Sequence, residues 1–234
     1  MSLPKIEYPI FELTLPSDKS KVQFRPFTVK EEKLLLIAQE SEDQKDRVRA
    51  MRQIVNNCCL NLSKDIGLLP SFDLEYCFLK IRAKSVGNIV ELKYRDLTDQ
   101  KIYSFEVDLD ELEITFDKGH TNTIKVSDEL GLVMTYPTME MLERVDVTKE
   151  DNEAAFSLIR LCVETIYDAE TAYVAKDYTE EELSTFIDSL PVKAFEDMTQ
   201  FFNTLPVLKH ELHYKDSEGT EKTITLQGID DFFQ

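Results

Sequence analysis

With 234 residues, 42% hydrophobic content and six glycines, the chain can bury a substantial core and is neither disordered nor fibrous. Its net charge of −18 disfavours nucleic-acid binding, since that role calls for an excess of Lys and Arg to neutralise phosphates. The acidity favours solubility over docking on a basic partner or mimicry of DNA, because charge alone names no partner.

The sequence predicts neither a membrane span nor a secretory leader. No uninterrupted apolar stretch approaches the ~20 residues of a spanning helix, and residues 1–7 lack a basic end followed by an apolar core. Two adjacent and two scattered cysteines do not form a disulfide framework and lie in apolar, helix-like sequence. They are Cys58, Cys59, Cys77 and Cys162. We therefore expect a reduced, cytosolic setting.

The chain opens with a predicted β-hairpin whose strands are 6–15 and 22–24. Helical sequence follows over 29–62, and the polar stretch 41–46 either breaks it or forms an exposed turn. Thr28 and Glu31 have capping-box spacing at its start.

Arg25, between Phe24 and Phe27, has two interpretations from sequence. It is either a buried anchor for a carboxylate or helix end, or an exposed side chain on an edge strand. The residue types leave both open.

The middle of the chain combines one apolar helix with several strands. A helix over 71–86, capped by Ser71 and ended by Gly87, is apolar on two sides and is expected to be mostly buried. The predicted strands are 89–94, 102–107, 112–116, 123–126 and 132–136.

After Pro137 the composition becomes helical. The predicted helices are 139–145, 152–167, 179–190 (with a capping box at Thr179 and Glu182) and 192–205, followed by a hairpin of 208–214 and 222–226. We predict an α+β protein: an N-terminal β-hairpin, a helical layer, a small antiparallel sheet, and a helical C-terminal half closed by a second β-hairpin. The predicted domains are 1–136 and 137–234.

The two later hairpins resemble each other, since the pattern ELKYRD at 91–96 recurs as ELHYKD at 211–216. Strands of alternating hydrophobicity joined by charged turns also arise independently, so such a sequence similarity can be coincidental. We favour a similar construction and assign no chemistry to it.

Signals for catalysis or cofactor binding are missing from the sequence. His210 and His213 are three apart on a predicted strand, so their rings point to opposite faces and cannot grip one metal together. No metal, nucleophile or phosphate-loop motif is present, and carboxylate pairs are expected by chance among 45 acids. The sequence predicts no enzyme, no catalytic residue, no cofactor and no metal.

Several strings, in order along nearly the whole chain, resemble the T4-type phage baseplate-hub protein family, which includes the small hub subunit and assembly factor of contractile-tailed phages. The strings are LPKI at 3–6, FRPFTVKEEK at 24–33, FDLEY at 72–76, LKIRAKSVG at 79–87, HTN at 120–122, YPT at 136–138, FFNTLP at 201–206 and LQGIDDFF at 226–233.

The resemblance implies a non-enzymatic role in building the baseplate hub, with other hub proteins as partners, in the cytoplasm of an infected bacterium. It leaves open whether the protein stays in the virion baseplate or leaves after assembly, as a chaperone-like factor does. Relatives can carry paired cysteines in hairpin turns. The turns at 95–100 and 215–221 carry carboxylates and hydroxyls instead, so we predict no zinc and expect strand pairing and core contact alone to hold these hairpins.

The predicted mechanism is docking, in which apolar anchors set affinity and acidic surface sets approach. The predicted partner-binding residues are Phe24, Arg25, Phe27, Lys30, Lys33, Arg82, Lys84, Phe232 and Phe233. The alternative is an acidic regulator or DNA mimic that binds a basic host or phage enzyme. A mimic would show acids in a regular stripe, whereas an assembly protein would show dispersed acids and an apolar patch.

Overall fold

A computed structural model describes residues 6–41, 44–145 and 151–232, and it divides the chain into two compact units. The first unit runs to Thr115 and resumes at Val207, and the second is Phe116–Pro206. The C-terminal hairpin therefore belongs with the N-terminal part of the chain. The predicted division into domains at residue 136 stays a prediction.

Seven helices and eleven strands, named here in chain order, form the described chain. The helices are α1 (Val29–Glu40), α2 (Gln44–Cys58), α3 (Ser71–Val86), α4 (Met139–Arg144), α5 (Asp151–Leu161), α6 (Glu180–Asp188) and α7 (Val192–Asn203). The strands are β1 (Phe11–Thr14), β2 (Lys21–Phe24), β3 (Ile89–Arg95), β4 (Ile102–Asp108), β5 (Ile114–Thr115), β6 (Thr123–Lys125), β7 (Gly131–Met134), β8 (Val163–Tyr167), β9 (Ala172–Val174), β10 (Val207–Lys215) and β11 (Glu221–Gln227). Every strand pair is antiparallel, which confirms the α+β class.

The first unit contains the hairpins β1–β2 and β3–β4 and a sheet of order β11-β10-β5. Helix α2 packs against both α1 and α3. Most of α3 is buried, including Leu74, Cys77 and Ile81 at 0% exposure, as its two apolar sides predict. The expected burial of this helix is confirmed.

The long helical sequence after residue 28 is broken in two. Helix α1 ends at Glu40, where the Ser41 amide donates to the Ala38 carbonyl oxygen at 3.3 Å. Side-chain bonds then join Ser41 Oγ to Asp46 Oδ2 (2.8 Å) and Asn57 Nδ2 to Glu31 Oε1 (3.3 Å). These two bonds connect α1 and α2 at both ends of the helix pair, so the two helices run antiparallel.

The second unit packs helices on a sheet of order β6-β7-β8-β9. Leu132 and Ile166 of the sheet share a core with Met198 and Phe201 of α7. Gly131 is required where β7 meets β8, because a Cβ there would clash with the Tyr167 hydroxyl and lie 2.9 Å from the Ile124 carbonyl oxygen.

The helix predicted over 152–167 is wrong in its second half. Helix α5 ends at Leu161, and 163–167 form β8, a strand paired on one side with β7 and on the other with β9. The β-branched residues Val163, Thr165 and Ile166 favour a strand that is paired on both sides.

Two of the three predicted N-caps are confirmed. Thr28 and Thr179 each form a capping box with the Glu three residues on. Ser71, by contrast, is the first residue of α3 and Pro70 holds the cap position, with no side-chain cap. The Pro70 carbonyl oxygen instead accepts from the Leu74 amide at 3.1 Å.

Candidate functional site

The segment that leads from β2 into α1 is organised around a buried carboxylate. Glu31 is 0% exposed, and its oxygens accept from Arg25 Nη2 (3.1 Å), Arg25 Nη1 (3.3 Å) and the Thr28 amide (2.9 Å). Burial by itself would raise the pKa of Glu31, but the donors of Arg25 and Thr28 outweigh it and lower that pKa to about 2. Arg25 is therefore the anchor of a helix end, the first of its two interpretations.

The neighbouring predicted contact residues differ in exposure. Phe24 is 2% exposed and stacks on Phe11 at 5.7 Å, so it supports the hairpin from inside. Phe27 is half-buried against Phe78 at 5.9 Å, while Lys30 and Lys33 are exposed on α1. Within this segment, the side chains that reach solvent most freely are the two lysines.

The C-terminal turn of α3 lies beside this segment, because the Phe27 amide donates to Ser85 Oγ at 2.7 Å. Lys84 is exposed, pairs with Asp110 at 2.7 Å, and has its Nζ 5.8 Å from the centre of the Phe11 ring. Arg82 on the same turn is half-buried. The structure thus brings Arg82 and Lys84 near the start of α1.

Phe232, the first residue of the C-terminal aromatic pair, is buried and does not form part of the exposed surface. Phe232 is 0% exposed in a 3₁₀ helix, Ile229–Phe232, and Phe233 lies outside the described residues. Burial, together with the nearby Asp230 carboxylate, raises the pKa of Glu75 on α3 to about 7. As a partner contact, the pair Phe232 and Phe233 stays a prediction.

Exposed apolar residues that the sequence analysis did not select lie on α1. Val29, Leu36 and Ile37 are 72%, 52% and 68% exposed. For Leu36 and Ile37 the signal was the run Leu34-Leu35-Leu36-Ile37, in which four consecutive apolar residues cannot all face one side of a helix.

The two similar hairpins, β3–β4 and β10–β11, share a turn construction. Asp96 accepts from the Thr98 amide at 2.7 Å, and Asp216 accepts from the Glu218 amide at 2.9 Å, so each Asp closes its own turn. The predicted similarity of construction is therefore present in the structure.

Side chains also bridge these hairpins, so the expectation that strand pairing and core contact alone hold them is wrong. Lys222 Nζ lies 2.6 Å from Asp96 and 3.4 Å from Asp216, and the Tyr214 hydroxyl donates to Asp96 at 2.9 Å. The Lys222 ammonium and its fellow donors hold the pKa of Asp96 at about 2. The Tyr214 ring packs 4.6 Å from the Tyr103 ring. A charged and aromatic bridge fixes the tips of the two hairpins together.

Within the part of the chain that the structure describes, no group of three His, Cys, Asp or Glu side chains is placed to hold a metal ion. Cys58, Cys77 and Cys162 are buried, and burial raises the pKa of Cys58 and of Cys162 to about 12, away from reactive thiolate. The absence of a zinc site stays a prediction.

Two open clefts lie in the second unit. One, of about 480 Å³, is lined by Arg144 and Arg160, which both pair with Glu180 at 3.1 and 3.0 Å, so their charges are already engaged. The other, of about 390 Å³, is lined by groups such as Thr123 and Gln200.

Two of the three histidines, His120 and His213, contact neighbouring side chains. His120 stacks 5.6 Å from the Tyr136 ring and its Nδ1 lies 2.9 Å from Thr204 Oγ1, and burial lowers its pKa. His213 Nδ1 lies 3.0 Å from Thr223 Oγ1 on the paired strand.

The described residues thus combine an α+β fold with exposed apolar residues on α1 and two hairpins bridged by side chains. A family model described as "T4 bacteriophage base plate protein" matches residues 8–234. The chain therefore belongs to the T4 bacteriophage base plate protein family, and this membership indicates a structural role in the phage tail. Comparison with curated proteins and with solved structures finds no match. Among the residues that the structure describes, none of the helices combines the length and the hydrophobicity that spanning a bilayer requires.

Proposed function

We propose that this protein acts in assembly of the central hub of the phage baseplate, by docking onto other hub proteins and without catalysing a reaction. The observation that carries the proposal is the family match over residues 8–234. The exposed apolar residues of α1 support it, since such groups commonly mark protein–protein contacts. We place this assembly in the cytoplasm of the infected host.

The predicted contact residues enter the proposal according to their exposure. Lys30, Lys33 and Lys84 are proposed to touch the partner directly. Arg25, Phe27 and Arg82, which are half-buried, are proposed to shape the edge of the contact. Phe24 and Phe232 are buried, so they would act indirectly, by supporting the elements that carry the contact residues. Phe233 remains a proposed contact.

The rival function, an acidic DNA mimic, has less support. The acids near the hairpin tips are bound within the protein, as for Asp96 and Asp216 with Lys222, so they are not a free phosphate-like stripe there. The exposed Val29, Leu36 and Ile37 are the kind of residues expected of an assembly protein.

Co-expression with the other hub proteins, followed by pull-down of this chain at low and high salt, tests the proposal. We expect at least one hub protein to be retained at both salt concentrations, because apolar anchors resist screening. The matched control is the same chain with Lys101, Lys209 and Lys215 changed to Glu, which alters hairpin charge and leaves α1 intact. Loss of every hub protein at both salts would contradict the proposal.

A further inference from the structure

We propose that the contact between His120 and Thr204 is a pH-sensitive switch in the second unit. The contact is closed while the His120 imidazole is neutral, and it opens when that imidazole is protonated. Because the second unit is Phe116–Pro206, the contact joins a residue near its beginning to a residue near its end. The inference concerns a conformational change and goes beyond the proposed docking function.

The His120 ring lies in a cluster of three aromatic rings. Its centre is 5.6 Å from that of Tyr136, to which it is nearly parallel, and 5.1 Å from that of Phe201. Phe201 belongs to α7 and is 2% exposed. The Met134 amide donates to the Asn122 carbonyl oxygen at 2.7 Å, which fixes the chain just after His120 to the end of β7. The ring is therefore positioned by contacts with several elements of the second unit.

The hydrogen bonds of Thr204 determine which nitrogen of the His120 ring carries the proton. The Thr204 hydroxyl lies 2.9 Å from the carbonyl oxygen of Gln200 and 3.3 Å from that of Phe201. It donates its one hydrogen to these oxygens, since a carbonyl oxygen can only accept. The hydroxyl oxygen then accepts from His120 Nδ1, which is 2.9 Å away. The neutral ring therefore carries its proton on Nδ1, and Nε2 presents a lone pair.

His120 Nε2 is buried and has no hydrogen-bond partner among the residues that the structure describes. Protonation would place an N–H group and a positive charge at this position without an acceptor, and a buried donor that makes no hydrogen bond is costly. Burial accordingly lowers the pKa of His120, although the Asp117 carboxylate and a hydrogen bond to the Thr204 backbone favour the charged ring. The closed contact thus disfavours the imidazolium form.

Neighbouring charges do not supply the missing acceptor. Asp117 Oδ1 accepts from the Gly119 amide at 2.7 Å, and the Asp197 carboxylate pairs with Lys193. Across the described chain, no carboxylate is a hydrogen-bond partner of His120 Nε2. The titratable side chains on the segments around the ring are Tyr136, Asp117 and Lys118 of its own loop, Lys125 of β6 and Asp197 of α7.

Open space lies beside the contact. The cleft of about 390 Å³ is lined by Gly119 and Thr121, on either side of His120, and by Phe201 and Thr204. A protonated ring that leaves the aromatic cluster can therefore be hydrated without unfolding of the rest of the second unit. Protonation is expected to favour this open form.

The direction and the size of the pH effect follow from the lowered pKa. The ring in the open form is solvated and titrates near the ordinary value of 6.5, whereas the closed form titrates at lower pH. The contact is therefore most stable above about pH 6.5 and weakens as the pH falls below that value. Between pH 7.5 and pH 5.5 the equilibrium constant for opening can rise by at most about tenfold, because the open form binds one additional proton.

NMR titration of the full chain tests the proton positions directly. In ¹⁵N spectra at pH 8, we expect the neutral His120 ring to carry its proton on Nδ1 and none on Nε2. We expect the same ring to titrate at lower pH in the folded chain than in the urea-unfolded chain. The variant His120→Asn assigns the His120 signals, since the chain has three histidines.

Amide hydrogen exchange, corrected for the intrinsic pH dependence, measures the opening. The reporters are the amides of Thr204 and Met134, which donate to the carbonyl oxygens of Gln200 and Asn122. Their protection in wild type is expected to fall about three- to tenfold from pH 7.5 to pH 5.5. His120→Asn keeps an N–H donor but does not titrate, so its protection should change less than twofold over the same range. This matched comparison also removes the effect of other groups that titrate in this range.

Substitutions at Thr204 test the acceptor separately. Thr204→Val removes the hydroxyl and should lower the protection of the Met134 amide at least about fivefold at pH 7.5, because Nδ1–H is left without its partner. Thr204→Ser retains the hydroxyl and should stay within twofold of wild type. The titration of wild type needs no substitution, so it decides the proposal even if a variant fails to fold.

Four results would overturn the inference. They are a proton on Nε2 in the neutral folded ring, titration of His120 at the same pH in the folded and unfolded chains, an equal pH response in His120→Asn, and unchanged protection in Thr204→Val.

Discussion

Neutralising Glu31 should loosen the junction between β2 and α1, and the size of the effect follows from its pKa. The folded-state pKa is about 2 against an ordinary 4.5, and each unit corresponds to about 1.36 kcal/mol, so the ceiling is about 3 kcal/mol. The Arg25 side chain is 21% exposed, and solvent screening reduces this to about 1–2 kcal/mol. We expect Glu31→Gln to lower the free energy of unfolding by that amount at pH 7.

The pH dependence has a definite sign. Because the folded-state pKa lies below the unfolded one, the stabilisation is complete above about pH 4.5 and is lost as the pH falls toward 2. Urea unfolding at pH 7, 4 and 2.5 should therefore show the difference between wild type and Glu31→Gln shrinking with acidity. The matched control is Glu32→Gln, in the same helical turn but outside the Arg25 contact.

A double-mutant cycle isolates the ion pair. Arg25→Met, Glu31→Gln and the double variant should give a coupling energy of about 1–2 kcal/mol, because each single change leaves the other group without its charged partner. A coupling energy within about 0.3 kcal/mol of zero, or a difference that stays constant from pH 7 to 2.5, would refute the reasoning.

Three further changes test other parts of the fold. Lys80 is buried, and its Nζ donates to the carbonyl oxygens of Leu109 (3.2 Å), Asp110 (2.7 Å) and Leu112 (2.9 Å). Lys80→Met should therefore lower the free energy of unfolding, measured with urea, by about 2–4 kcal/mol. A decrease below about 0.5 kcal/mol would contradict this. Lys222→Met should lower the thermal midpoint and speed amide exchange at the hairpin tips, whereas Lys215→Met should change neither. Gly131→Ala should lower the free energy of unfolding by about 1–3 kcal/mol, since its Cβ has no room against β8; an unchanged urea midpoint would contradict this.

The elements with short-range signals were predicted well. The capping boxes at Thr28 and Thr179 need only a residue three positions on, and the β10–β11 hairpin needs only alternation and a polar turn. The candidate site was predicted in part. Arg25, Phe27, Lys30 and Lys33 were selected. Val29, Leu36 and Ile37 were missed, because apolar residues in a helical sequence do not reveal which side of the helix is left uncovered.

What the sequence determined by itself is therefore local: the helix starts, the hairpins, the break near residue 41 as one of two options, and the α+β class. Tertiary structure decided the rest. It made 163–167 a strand through pairing with β7 and β9, and it chose the anchor role of Arg25 through Glu31. It also bridged Asp96 to Lys222, which is 126 residues away. The physical reason is that the energies of burial, pairing and charge contact depend on neighbours that are distant in the chain, and periodicity and capping carry no information about those neighbours.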